Sequence, residues 1–226
     1  MDASVAQLVR EKILSDPCLS ECLARGVVNL SELARQLSSE IERMGLGRPR
    51  VTAVKMALYR LSRRLREQRL SQRVIKLLAR SRIIIHDSVS ILTFPGELMP
   101  KALAVVAEIA SRARFIQVTQ GFRNATIVVS SEDADRLVSR IGEPIDRIDG
   151  QTAIVIVSPE DIIETPGVIS ILTGYLASNG INITQIISCY VDTIIVLDTR
   201  DSLKAFNILH NIIHGATPGK ESARSP

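Results

Sequence analysis

The feature that most constrains this chain is an internal repeat. From Ser88 the sequence reads strand (SVSILTF), Pro95-Gly96, helix (about Pro100–Ala110), strand (RFIQVTQ), strand (NATIVVS) and helix (Asp133–Ile141). From Thr152 it reads strand (TAIVIVS), Pro166-Gly167, helix (Val168–Ser178), strand (INITQIIS), strand (VDTIIVL) and helix (Asp201–Ile213). Thr126-Ile127-Val128-Val129 aligns with Thr193-Ile194-Ile195-Val196, and Pro95-Gly96 with Pro166-Gly167. Two copies of one βαββα unit predict a layered sandwich of helices on antiparallel sheet. Each copy has a sheet face that its own helices leave bare, so the copies must pair with each other or with a second chain.

Ahead of the repeat, both charge and hydrophobic period change. Residues 1–82 carry 17 Lys+Arg and 8 Asp+Glu, a net of +9, whereas residues 83–226 carry 11 and 16, a net of −5. Between Arg43 and Arg82 there are 13 basic side chains and one acid, Glu67. Apolar positions recur every three or four residues up to about residue 80 and then give way to short β-branched runs. This predicts a helical basic module over residues 1–80, with a boundary near residues 80–83.

Within that module a first helix is expected over Ala3–Leu14, stopped by Asp16-Pro17, and a short one over Leu19–Ala24, closed by Gly26. Asn29 opens a third, with Glu32 reaching back as in a capping box, and Leu33, Leu37, Ile41 and Met44 form its apolar stripe. A fourth begins near Arg50 and buries Val51, Val54, Leu58, Leu61 and Leu65. Thr52, Lys55, Tyr59, Arg63 and Arg66 then share an outward arc, flanked by Arg60 and Arg64. A helix, a glycine-containing turn and a second helix with a basic outer face form a helix-turn-helix-like pattern that suits double-stranded DNA. Thr52, Lys55, Met56 and Tyr59 are candidates for base edges; Arg48, Arg50, Arg60, Arg63 and Arg66 are candidates for phosphates. The turn is longer than that motif usually has. A solvated basic face, or one that meets acidic protein, reads the same residues differently.

The second copy, from Thr152 to Ile213, resembles the ACT domain, a small regulatory unit found on aspartate kinases and other amino-acid enzymes. The carrying residues are Pro166-Gly167 before the first helix, Gly180-Ile181-Asn182-Ile183 leading into the next strand, and Asp201 opening the last helix. Over residues 88–149 the resemblance is weaker, with no Gly-Ile-Asn-Ile counterpart. A basic helical head followed by two such units resembles an archaeal family of ACT-containing regulators. The resemblance implies an α+β fold: an all-α module, then two ferredoxin-like βαββαβ ACT units over residues 81–149 and 150–214, and a flexible tail over 215–226. It also implies that Arg82-Ile83-Ile84-Ile85-His86 supplies the fourth strand of the second unit, with the first copy inserted within it.

By the same resemblance, an amino-acid-like effector sits between paired units, in a homodimer or larger assembly. Glycine at a helix start exposes backbone N–H groups to a carboxylate, which the helix dipole favours. The expected contacts are Thr165, Pro166, Gly167 and Val168 at that helix, Asn182 and Ile183 on the neighbouring segment, and Glu160, Asp161 or Glu164 for an ammonium group. The bland alternatives are a turn, a cap and a solvated acidic loop.

Other signals are poor. His210 and His214 are one turn apart without the glutamate that a zinc-protease motif needs, and Cys18 and Cys22 lack a second pair. No phosphate-binding glycine loop or nucleophile elbow is present. No cofactor, metal site or enzymatic activity is expected. Aromatics make up 3% of residues, which disfavours a reader of single-stranded RNA. No apolar run approaches the ~18–20 residues of a membrane span, the first residues are unlike a secretory signal, and the three cysteines imply no disulfide framework. The sequence therefore predicts a cytoplasmic, non-enzymatic regulator that senses an effector and binds DNA; the alternative is a regulatory subunit that controls an amino-acid-metabolism enzyme.

Overall fold

The computed structural model describes residues 4–67 and 70–215. The tail expected over residues 215–226 lies, apart from Gly215, outside them. The chain divides into two compact units, Met1–Leu70 and Ser71–Pro226.

The first unit contains α1 (Val5–Leu14), α2 (Pro17–Arg25), α3 (Leu30–Arg43) and α4 (Val51–Glu67). Pro17 does not merely stop α1. It occupies the first turn of α2, capped by the Asp16 carboxylate, where a missing N–H costs nothing. Asn29 caps α3 by accepting from the N–H groups of Ser31 and Glu32. Glu32 does not reach back to complete a capping box; its carboxylate is taken by Arg35 and Gln36. The core joins Val9 and Ile13 of α1, Leu23 of α2, Leu33 and Leu37 of α3, and Val54, Leu58 and Leu61 of α4. Two stripe positions end up outside it: Met44 is 54% exposed just past the end of α3, and Val51 is 37% exposed in the first turn of α4. Helix ends overhang the packed region, so the outermost members of a periodic stripe are the first to lose their cover.

The second unit opens with α5 (Leu70–Leu78), which the charge and period assigned to the head. Val74, Leu77 and Leu78 are buried with the sheet residues Ile154 and Ile156, so α5 belongs to the sheet unit and the division falls about ten residues earlier than expected. After it come β1 (Arg82–Pro95), α6 (Met99–Ile109), β2 (Ile116–Gln120), β3 (Asn124–Ser130), α7 (Ser131–Ile141), β4 (Asp146–Val157), α8 (Val168–Ser178), β5 (Gln185–Cys189), β6 (Asp192–Asp198) and α9 (Ser202–His214). All strands join one antiparallel sheet in the order β2-β3-β1-β4-β6-β5. Separate sheets for the two copies are therefore not what forms.

The reason is that two strands are long. Residues 89–95 of β1 pair with β3, whereas residues 82–86 pair with residues 153–157 of β4. The start of β4 in turn pairs with residues 91–93 of β1, and its later residues 151–157 pair with β6. Each long strand thus serves both halves. Register breaks between His86 and Val89, where Ser88 is left-handed (φ 51°), and again between Val89 and Ile91, across from which Gly150 of β4 is left-handed (φ 68°). Bulges with left-handed residues bend strands and let them pass from one sheet layer to another. At the bend the Ser90 hydroxyl donates to Asp149 (2.6 Å), which Arg147 also holds (2.9 Å). These partners, the serine first, keep the Asp149 carboxyl below its usual range.

All helices of this unit lie on one face. α6 and α7 bury Leu92, Phe94, Ile127 and Val129, and α5, α8 and α9 bury Ile154, Ile156, Ile195 and Leu197. The opposite face has no helix, yet Val89, Ile91, Val128, Ala153, Val155, Ile194 and Val196 are buried there with Phe115. The curled sheet brings inner-face residues of both halves together in this third core. Parity also corrects the alignment of the repeats. Thr126 pairs with Thr93 on the inner face, but Thr193 pairs with Ile156 on the helix face. Thr126 therefore corresponds to Ile194, and a one-residue slip turns every side chain to the wrong side. Pro95-Gly96 does not match Pro166-Gly167 either. Pro95 ends β1 three residues before α6, whereas ten residues, 158–167, separate β4 from α8.

Candidate functional site

That ten-residue loop holds most of the candidate effector residues. A single 3-10 turn, Glu160–Ile162, is followed by Thr165, buried with its hydroxyl donating to the Asp161 carbonyl (2.6 Å). Gly167 caps α8 at φ 90°, a conformation that side chains resist, and no side chain caps the first-turn N–H groups. A Cβ on Gly167 would stand 4.0 Å from Val74 of α5, so α5 lies along this helix start.

The expected contacts are not equally placed to bind anything. The Glu160 carboxylate accepts from the Tyr190 hydroxyl (2.9 Å), and Asp161 is paired with Arg80 (3.1 Å). The Val168 side chain is buried in the core, and Ile183 packs against that core from its edge. Glu164, Pro166, Gly167 and Asn182 are exposed. Pro166, Gly167 and Glu164 are brought together by the loop itself; Asn182 stands beyond the far end of α8, two residues past the left-handed Gly180. Arg80 and Tyr190 are the residues that sequence reasoning missed. Tyr190 is a non-glycine residue at φ 54° in the turn between β5 and β6, and nothing in the local sequence shows that it faces Glu160.

In the helical unit, Thr52, Lys55, Met56, Tyr59, Arg60, Arg63 and Arg66 are exposed along α4, and Arg48 and Arg50 are exposed on the turn before it. That turn covers residues 44–50 and is pinned by the Ser38 hydroxyl, which donates to the Pro49 carbonyl (2.7 Å). Two of the basic residues lie close to other parts of the helical unit. Arg48 pairs with Glu42 (3.3 Å), and an Arg66 amino nitrogen lies 2.7 Å from where a Cβ on Gly26 would be, over the end of α2. Arg60 points to a groove against α1 and not to the arc of Thr52, Lys55 and Tyr59.

His210 and His214 stack at 4.7 Å on α9, next to Phe206. Among the described residues no group of three His, Cys, Asp or Glu side chains could hold a metal ion, and no helix is long and apolar enough to cross a membrane. Cys18 and Cys189 are exposed and Cys22 is half-buried.

Residues 147–211 match the ACT domain family. None of the curated proteins matches the chain. Among solved structures, a chain of aspartokinase alpha and beta subunits is 17% identical at a TM-score of 0.51, covering 61% of this chain and 98% of that one. Clostridium acetobutylicum aspartate kinase is 15% identical at a TM-score of 0.49, over 58% of this chain and 34% of its own. The ligand-free regulatory subunit of aspartate kinase from Thermus thermophilus is 16% identical at 0.46, over 57% and 95%. The chain thus spans about a third of the length of the Clostridium enzyme. At these identities the likeness is one of fold. The match covers β4 to α9, the half of the sheet that carries the Gly167 loop, and residues 147–211 form an ACT domain.

Proposed function

We propose that this chain is a non-enzymatic regulator: its ACT domain senses a small effector of amino-acid type, and its basic helical unit acts on double-stranded DNA. The ACT match over residues 147–211 is the observation that carries the sensing half. The uncapped start of α8 at Gly167 suits a carboxylate and Glu164 remains exposed for an ammonium group, while Asn182, past the far end of α8, would meet the effector only from a second, paired unit. Glu160 and Asp161 would contribute only after releasing Tyr190 and Arg80. We read the two halves of the sheet as two ferredoxin-like units that exchange their fourth strands. β2 and β5 have a strand on one side only, which leaves edges for a homodimer. The helical unit is read as a helix-turn-helix-like head in which Thr52, Lys55, Met56 and Tyr59 face bases and Arg50 and Arg63 face phosphates. Coupling requires the effector to favour one arrangement of the heads over another; equal affinity for both shifts nothing.

Two measurements test this. A thermal-shift series against the standard amino acids should raise the melting temperature for at least one, because a ligand of the native state stabilises it. Gly167→Val should remove that shift. Anisotropy on mixed-sequence duplexes should show binding that weakens steeply between low and moderate salt, and Lys55→Glu with Arg63→Glu should abolish it. No shift with any amino acid defeats the sensing half. No duplex binding in dilute buffer defeats the DNA half and leaves the enzyme-subunit reading, which a pull-down from native lysate then addresses.

A further inference from the structure

We infer that the groove between α1 and α4 of the helical unit is a docking site for a short, acidic, amphipathic helix of a protein partner. The groove encloses about 730 Å³. Its floor is apolar: Ala6 and Leu14 from α1, Ala57 and Leu61 from α4, with Leu14 46% exposed. Its rim carries Arg10, Arg60 and Arg64. None of these three makes an ion pair or a side-chain hydrogen bond among the described residues. The one acid on the rim, Glu11, is occupied by the Gln7 amide (3.0 Å).

An apolar floor under unpaired guanidinium groups has a specific complement. Leucine-like side chains spaced i, i+3/i+4, i+7 would fill the floor, while flanking carboxylates meet the arginines in charge-assisted hydrogen bonds. Ala57 and Leu61 are already buried, and the apolar surface left open is Leu14 with Ala6; a nucleic-acid backbone offers a row of charges and nothing to cover it, so the groove fits it poorly. From Ala6 to Leu14 the helical rise is about 12 Å, which sets the occupant at roughly 8–12 residues of helix. The groove and the arc of Thr52, Lys55, Tyr59 and Arg63 lie roughly 120° apart around α4, so docking here leaves the proposed DNA face open. The inference does not rest on the DNA reading.

The test uses the full chain and two fluorescein-labelled peptides of about twelve residues, matched in composition. One arranges Leu and Glu on separate helical faces; the other scrambles them. The amphipathic peptide should bind about tenfold or more tightly than the scrambled one, and the pair Arg10→Glu and Arg64→Glu should weaken it by about tenfold. Leu14→Asp should weaken it with both arginines in place, and circular dichroism should show both variants folded. Equal binding of the two peptides, or binding indifferent to these variants, overturns the proposal. If the arginine variants spare peptide binding but lose duplex binding, the groove is a phosphate surface and the proposal is equally overturned. Retained duplex binding with lost peptide binding supports it and shows that the two surfaces are separate.

Discussion

The two halves of the sheet unit share a topology and differ in what stands before their first helix. In the first half β1 runs almost directly into α6, with a short 3-10 turn between Gly96 and Leu98. In the second half a ten-residue loop separates β4 from α8, and α5 lies along it. Gly96 has no room for a binding loop: a Cβ there would come within 2.8 Å of the Arg123 carbonyl. The same scaffold therefore provides one half with an open, glycine-led helix start and the other with a closed strand exit. Both halves keep what the core requires, the alternation of Leu92 and Phe94 or of Ile154 and Ile156, and differ in the loop, which the core does not constrain.

The largest expected effect comes from the buried layers. Phe94→Ala in the first half should cost about 3–5 kcal/mol and Leu172→Ala in the second about 2–5 kcal/mol, read from urea midpoints. Because β1 and β4 run through both halves, either variant should shift one common transition of the sheet unit. Native-state hydrogen exchange showing the halves opening independently would break the comparison.

A smaller effect is expected at the bend, where Ser88 in β1 and Gly150 in β4 have positive φ at successive register breaks. Nothing lies within 4 Å of a Cβ added to Gly150, so Gly150→Ala should lose only backbone energy, about 1 kcal/mol. Ser88→Gly should instead change stability by a few tenths of a kcal/mol at most, since relief of the left-handed strain is offset by a more flexible unfolded chain. A loss as large as that of Gly150→Ala would reveal a role for the serine side chain.

The smallest effect is a pH dependence confined to one long strand. His86 stacks on Phe115 at 4.7 Å on the inner face, and burial, then the nearby Arg114, lower its pKa from 6.5 against the opposing pull of Asp87. The unfolded chain takes up this proton first. The contribution is therefore complete above about pH 6.5 and is lost as pH falls toward the lower folded value. His86→Gln should therefore flatten the slope of melting temperature between about pH 7.5 and 5.5. A slope unchanged by that substitution would remove His86 as its source.

Much of the architecture was legible because it is local. The spacing of Val54, Leu58 and Leu61 announced α4, Asn29 announced the start of α3, and the β-branched runs at Ile127 and Ile194 announced paired strands. The ACT resemblance over Thr152–Ile213 led to the half of the sheet that matches the family. The candidate site was legible only as a loop. That Arg80 and Tyr190 already hold Asp161 and Glu160 could not be read, since these partners lie 81 and 30 residues away in sequence.

By itself, then, the sequence determined which segments are helices and strands and on which side the basic residues collect, because period and capping act over a few neighbours. Only the tertiary structure decided that α5 belongs with the sheet and that β4, as well as β1, lends its start to the other half. It alone decided that the face without helices is covered within the chain, by the other half of the sheet, and not by a second chain. Those outcomes depend on which apolar surface covers which. A helix such as α5, with one apolar stripe and a basic back, carries no local mark of the surface that will bury it.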